Sequence, residues 1–118
     1  MALRASALEA GQTADLEVAT GRVGGDGNVE NGALLAALAE AVARWRWEEV
    51  AALRVEGRVR LGAQQTSDAI LVASGFNGIT RVADAIGIRL DQRTEEASAD
   101  FRDSAGISAF APVEKWQA

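Results

Sequence analysis

The sequence predicts an all-α fold, a single-domain bundle of about five or six helices, and three observations carry that prediction. Alanine, the strongest helix former, is spread along the whole chain, whereas proline occurs once, at Pro112. Glycine or a glycine cluster falls after most of the segments, at the positions where helices stop. Within the longer segments the large apolar residues recur every three or four positions, the spacing of one helical face.

The chain has 118 residues, the length of one domain. A chain of that size buries roughly two-thirds of its unfolded surface and needs no metal or disulfide staple. With no tyrosine, three phenylalanines and three tryptophans, the core must come mainly from Leu, Val, Ile and Ala. Cysteine and histidine are both absent, which removes disulfides, the commonest nucleophile–base pairs and most zinc and iron sites. No cofactor and no metal are expected. The net charge of −5 favours solubility and disfavours wholesale nucleic-acid binding. No run approaches the ~18 apolar residues of a membrane span. Residues 1–11 carry Arg4 and Glu9 and lack the long apolar stretch of a signal peptide, so a cytoplasmic protein is expected.

In chain order, residues 2–10 read as a short helix stopped by Gly11. Thr13 and Asp15 open a second, through Ala19, ending at Gly21. Gly24-Gly25-Asp26-Gly27-Asn28 is the strongest loop signal and reads as a flexible connector; no lysine follows it as in a phosphate loop. Asn31 is the candidate N-cap of a helix to about Trp45, with Leu34, Leu35, Leu38, Val42 and Trp45 on one face and alanines on the other. Glu40 and Arg44 form a favourable i,i+4 pair on it. So little charge predicts cover on more than one side, a second subunit included.

Residues 47–56 continue as a helix with Trp47, Val50 and Leu53 inward and Gly57 at its end. Residues 58–65 fit either a short extended piece or a ragged helical turn. The strongest helix opens at Thr66 or Ser67, carries Asp68 in its first turn, and runs to Ile86 before Gly87. On it Val72, Phe76, Ile79, Ala83 and Ile86 fall within about a quarter of the circumference, and Val82, Gly75 and Leu71 extend that stripe on one side, so this helix is expected to be central to the bundle. A last, acidic helix spans residues 93–104, and residues 107–118 read as irregular.

The segment Phe76-Asn77-Gly78-Ile79-Thr80-Arg81-Val82-Ala83-Asp84-Ala85-Ile86-Gly87 resembles the Phe-Asn…Arg-x-Ala-Asp-Ala-x-Gly helix of the carboxymuconolactone decarboxylase and AhpD-type alkylhydroperoxidase-like family. With Leu8-Glu9-Ala10-Gly11 included, the resemblance covers most of residues 2–91, leaving residues 92–118 as a C-terminal helix and tail. It implies an AhpD-like helical fold and a homo-oligomer.

The departures from that family are informative. Its alkylhydroperoxidase branch carries C-x-x-C and a histidine just before a segment like Ala5-Ser6-Ala7-Leu8-Glu9-Ala10-Gly11, which places the histidine near Leu3 and the cysteines ahead of Met1. Peroxide reduction of that kind needs one thiolate to attack oxygen and a second thiol to resolve the product. Nothing in this sequence replaces them, so no catalytic residue is identified and the peroxidase mechanism does not transfer. Residues 58–65 also make a longer connection than the family's.

Other constellations have two readings each. Asn77, Arg81 and Asp84 form a polar cluster that either binds a carboxylate-bearing small molecule, with Arg81 as the anion fork, or is a solvated face held by an Arg81–Asp84 contact. Gly75 and Gly78 each cost about 1 kcal/mol relative to alanine inside a helix, and close helix–helix approach is the first reason to keep them. Arg44-Trp45-Arg46-Trp47 with Arg54, Arg58 and Arg60 resembles a stacking surface for a single strand, but Glu48, Glu49 and Glu56 dilute its charge. Asp91, Glu95, Glu96, Asp100 and Asp103 read as a solvated helix face.

Three functions remain in view. The first is an alkylhydroperoxidase-like protein without its peroxidatic cysteines: a pseudoenzyme, a scaffold subunit or an N-terminally shortened enzyme. The second is a thiol-independent small-molecule-binding or lyase-like protein using Arg81 with Asn77 or Asp84. The third is a helical protein-interaction module.

Overall fold

A computed structural model describes residues 9–11 and 13–110 and bears out the all-α expectation, with no strand among the described residues. Its helices are α1 (Leu16–Ala19), α2 (Gly32–Ala43), α3 (Trp47–Arg60), α4 (Ala63–Ile86) and α5 (Gln92–Ser104), followed by a 3₁₀ turn (Ile107–Phe110). The chain divides into two compact units, one of residues 30–85 and one of residues 1–29 with 86–118.

In the first unit α2 packs against α3. It buries Leu34, Leu38, Ala41 and Val42, while Val50 and Leu53 of α3 are half-buried, as their spacing predicted. Trp45 and Trp47 are not in that core. Helix α2 stops at Ala43, and Trp45 follows in a left-handed conformation (φ 60°) that turns its ring outward. The two indoles pack edge to face there, 5.4 Å apart, both more than half exposed. Arg46 braces this corner, meeting Glu40 at 3.2 Å and Glu49 at 2.9 Å, and the expected Arg44–Glu40 pair forms at 2.9 Å. Asn31 precedes α2 with φ 58° and makes no side-chain cap.

Gly57 does not end α3. It is buried inside the helix because Thr66 of α4 packs directly on it: a Cβ at position 57 would sit 2.9 Å from Thr66 Cγ2. Thr66 is 1% exposed, and its hydroxyl donates to the Gly62 carbonyl at 2.7 Å. The actual break is Gly62, whose φ of +87° suits glycine. Residues 58–65 therefore resolve into the end of α3, a two-residue turn and the start of α4. Since α4 opens at Ala63 rather than at Thr66 or Ser67, Asp68 falls in its second turn, where it accepts a 2.9 Å bond from Gln64 Nε2.

In the second unit Asp15 caps α1 by accepting from the Glu17 N–H at 2.9 Å. The glycine-rich loop folds back on this helix instead of hanging free. Asp15 N–H donates to the Gly27 carbonyl at 2.8 Å, and a Cβ on Gly27 would meet Asp15 O at 2.9 Å. Thr20 Oγ1 donates to the Ala105 carbonyl at 3.0 Å and Arg22 Nη1 to the Ser104 carbonyl at 3.1 Å, so two donors close the C-terminal end of α5. The predicted helix over residues 2–10 lies outside the described residues up to position 8; Glu9 is helical and Gly11 has φ +68°. Of the tail, residues 111–118 also lie outside them.

Candidate functional site

Helix α4 spans 24 residues, about 36 Å at the α-helical rise. Its inward side carries Thr66, which is buried against Gly57, and Ala69, Ile70 and Ala73, which are half-buried. The close approach of Thr66 to Gly57 sets which side of α4 faces inward. The broad apolar stripe is left on the other side.

That overturns the central place expected for this helix. Leu71, Val72, Phe76, Ile79, Val82 and Ile86 are all exposed, from 57% for Val72 to 71% for Leu71. No acidic or basic residue interrupts this face between Leu71 and Ile86. Gly75 and Gly78 lie within it, and a Cβ built on either meets nothing within 4 Å.

Asn77, Arg81 and Asp84 occupy the continuation of the inward side, past the last small-residue contact. Arg81 Nε donates to Asn77 Oδ1 at 3.3 Å, a long bond between residues one turn apart. Asn77 is half-buried, Arg81 and Asp84 are exposed, and Asp84 makes no ion pair with Arg81. None of the three lines the groove between α2 and α4.

An open groove of about 700 Å³ lies between α2 and α4. Leu35, Ala39, Val72 and Ala73 line its floor, with Arg60 and Asp68 at its rim. Arg60 is paired with Glu56 at 2.8 Å. Its volume is that of a ligand pocket, but it holds no buried polar group that would orient a ligand. Val72 joins the groove to the apolar face.

The arginine–tryptophan cluster is largely neutralised, since Arg44, Arg46 and Arg60 each contact a carboxylate. Among the described residues no three His, Cys, Asp or Glu side chains gather as a metal site. Asp91, read above as part of a solvated face, is the N-cap of α5. Its carboxylate accepts from Thr94 Oγ1 at 2.6 Å and from the Thr94 N–H at 2.9 Å, and these bonds hold its pKa below the ordinary value.

By length and composition α4 also meets the requirement for a membrane span, contrary to the sequence expectation, and it carries Asn77, Thr80, Arg81 and Asp84 along one side. Sequence reasoning found every residue of the apolar stripe but assigned it to the core. Compared with family models, curated proteins and solved structures, the chain matches none.

Proposed function

We propose that this chain is a helical protein-interaction module whose working surface is the apolar face of α4. One observation carries the reading: six large apolar side chains, each more than half exposed, form an uncharged face on the longest helix. Monomeric soluble proteins seldom leave a contiguous apolar patch of several hundred Å² open to water, and such patches mark interaction sites. The Asn77–Arg81–Asp84 side supplies a polar border that keeps this helix compatible with water.

The resemblance to the alkylhydroperoxidase-like family fits the same role. Without Cys or His, a member of that family is left with its scaffold function. Small-molecule binding through Arg81 draws less support, because Arg81 and Asp84 are exposed.

The test is site-specific photocrosslinking in cells, with a benzophenone side chain at Ile79 on the apolar face or at the exposed Arg54 of α3. An adduct to protein from position 79 and none from position 54 is expected. No protein adduct from position 79, or co-sedimentation of the purified chain with neutral lipid vesicles, overturns the reading.

A further inference from the structure

We infer that the groove between α2 and α4 binds a protonated amine with an apolar body, the body on the groove floor and the ammonium at the Glu30–Asp68 rim. The groove lies wholly within the unit of residues 30–85. The inference goes beyond the interaction surface and does not depend on it.

The floor selects the body. Leu35, Ala39, Val72 and Ala73 give it apolar side chains, and its volume of about 700 Å³ suits a small organic molecule rather than a bare ion. A ligand without apolar surface would leave that floor in contact with water.

Charge selects the head. Glu30 and Asp68 are exposed, and neither has a cationic partner among the described residues. Arg60, the cation of this lining, pairs with Glu56 at 2.8 Å, so its charge is already balanced. The helix N-termini oppose this field only in part. Glu30 just precedes α2 and Asp68 lies in the second turn of α4, where each helix end brings roughly half a positive charge. A full carboxylate at each end outweighs that half charge. A carboxylate head would therefore meet net repulsion at the rim, and an ammonium net attraction.

Hydrogen bonding agrees with charge. Asn31 is half-buried on the lining, stands at φ 58° and makes no side-chain cap to α2, so its amide oxygen is not used by the helix. Asp68 accepts from Gln64 through Oδ1, which leaves Oδ2 for a ligand. With the Glu30 carboxylate these make three acceptors along one rim. An ammonium carries three donors and no acceptor.

An NMR titration of the isotope-labelled full chain at neutral pH tests this. The probes are 4-phenylbutylamine, 4-phenylbutanol and 4-phenylbutyrate, which share one apolar body and differ in head charge. The amine is expected to shift the amides of Leu35, Ala39 and Ala73 saturably. It should bind about tenfold more tightly than the alcohol, the effect of two exposed charge contacts, and the butyrate should bind most weakly. Methylammonium, a head without a body, should give no saturable shift. Glu30→Gln with Asp68→Asn changes two exposed side chains, and should bring the amine down to the alcohol's affinity without altering the alcohol's own. Amine shifts that fail to saturate, or that map to the acidic side of α5 around Glu96 and Asp100, overturn the inference. So does a butyrate that binds as tightly as the amine, or a double variant that keeps the amine preference. Loss of the position-79 crosslink would remove the interaction surface and leave this site standing.

Discussion

Gly57 and Gly62 sit five residues apart and are needed for opposite reasons. At Gly57 the backbone is ordinary helix, and the constraint is Thr66, whose Cγ2 would lie 2.9 Å from an added Cβ. Thr66 is β-branched and held by its 2.7 Å bond to Gly62 O, so it yields poorly. Gly57→Ala should therefore destabilise the unit by about 1–3 kcal/mol despite alanine's better helix propensity. Thr66→Ser in the same chain should recover part of that loss in urea denaturation. At Gly62 nothing lies within 4 Å of the added atom, but φ is +87°. Gly62→Ala is expected to cost about 1–2 kcal/mol through backbone strain alone, and no change at Thr66 should rescue it. Asp91 acts through its charge. Its pKa is depressed by the Thr94 bonds, so its contribution is complete above the ordinary carboxylate value of 3.8 and is lost as the pH falls through the lower native pKa. An NMR titration should place the Asp91 transition below 3.8, and α5 should fray over the same range. Asp91→Asn, which keeps an accepting oxygen, should remove that pH dependence.

Helix α4 is an element whose two sides do different work. The small side, Thr66 to Ala73, anchors it, and the large side carries the proposed partner contact. The interior glycines separate the two roles experimentally. Gly75→Ala with Gly78→Ala should stabilise the Ile79→Asp chain by about 1 kcal/mol for each alanine, because both sites are open and helical. In the otherwise unaltered chain the same pair should lower the crosslink yield from this face, since the added methyls hold a partner off the helix backbone. An unchanged yield would show that the glycines serve no contact. Helix α2 behaves more simply: Leu34, Leu38 and Val42 are buried as its period implied, and Ala41 from the alanine side is buried with them. Its signal was legible because the face that packs is also the apolar one.

On the scale of the whole molecule, a protein that binds only the folded chain at the proposed α4 face links stability to its own concentration, and the effect follows the ratio of that concentration to the dissociation constant. Adding the protein captured from position 79 at about a hundredfold excess over that constant should raise the melting temperature by several degrees, whereas the Ile79→Asp chain should melt at one temperature throughout. Heating followed by circular dichroism at each concentration is the measurement.

Local chemistry alone determined the helical class, the order of the segments, the Asp15 cap, the Glu40–Arg44 pair and the α2 core. Each depends on residues within one or two turns of each other, so spacing suffices to read it. The lack of cysteine and histidine in the sequence is likewise read from composition alone. Tertiary structure decided which side of α4 faces inward. Periodicity reports that an apolar stripe exists but not what covers it, and here the approach of Thr66 to Gly57 outweighs the greater bulk of Val72, Phe76 and Ile79. The same contact turned Gly57 from a helix stop into an interior residue, moving the break to Gly62 and the start of α4 to Ala63. A glycine kept for a turn and one kept for a neighbour look the same in sequence; only the atoms around the missing Cβ distinguish them.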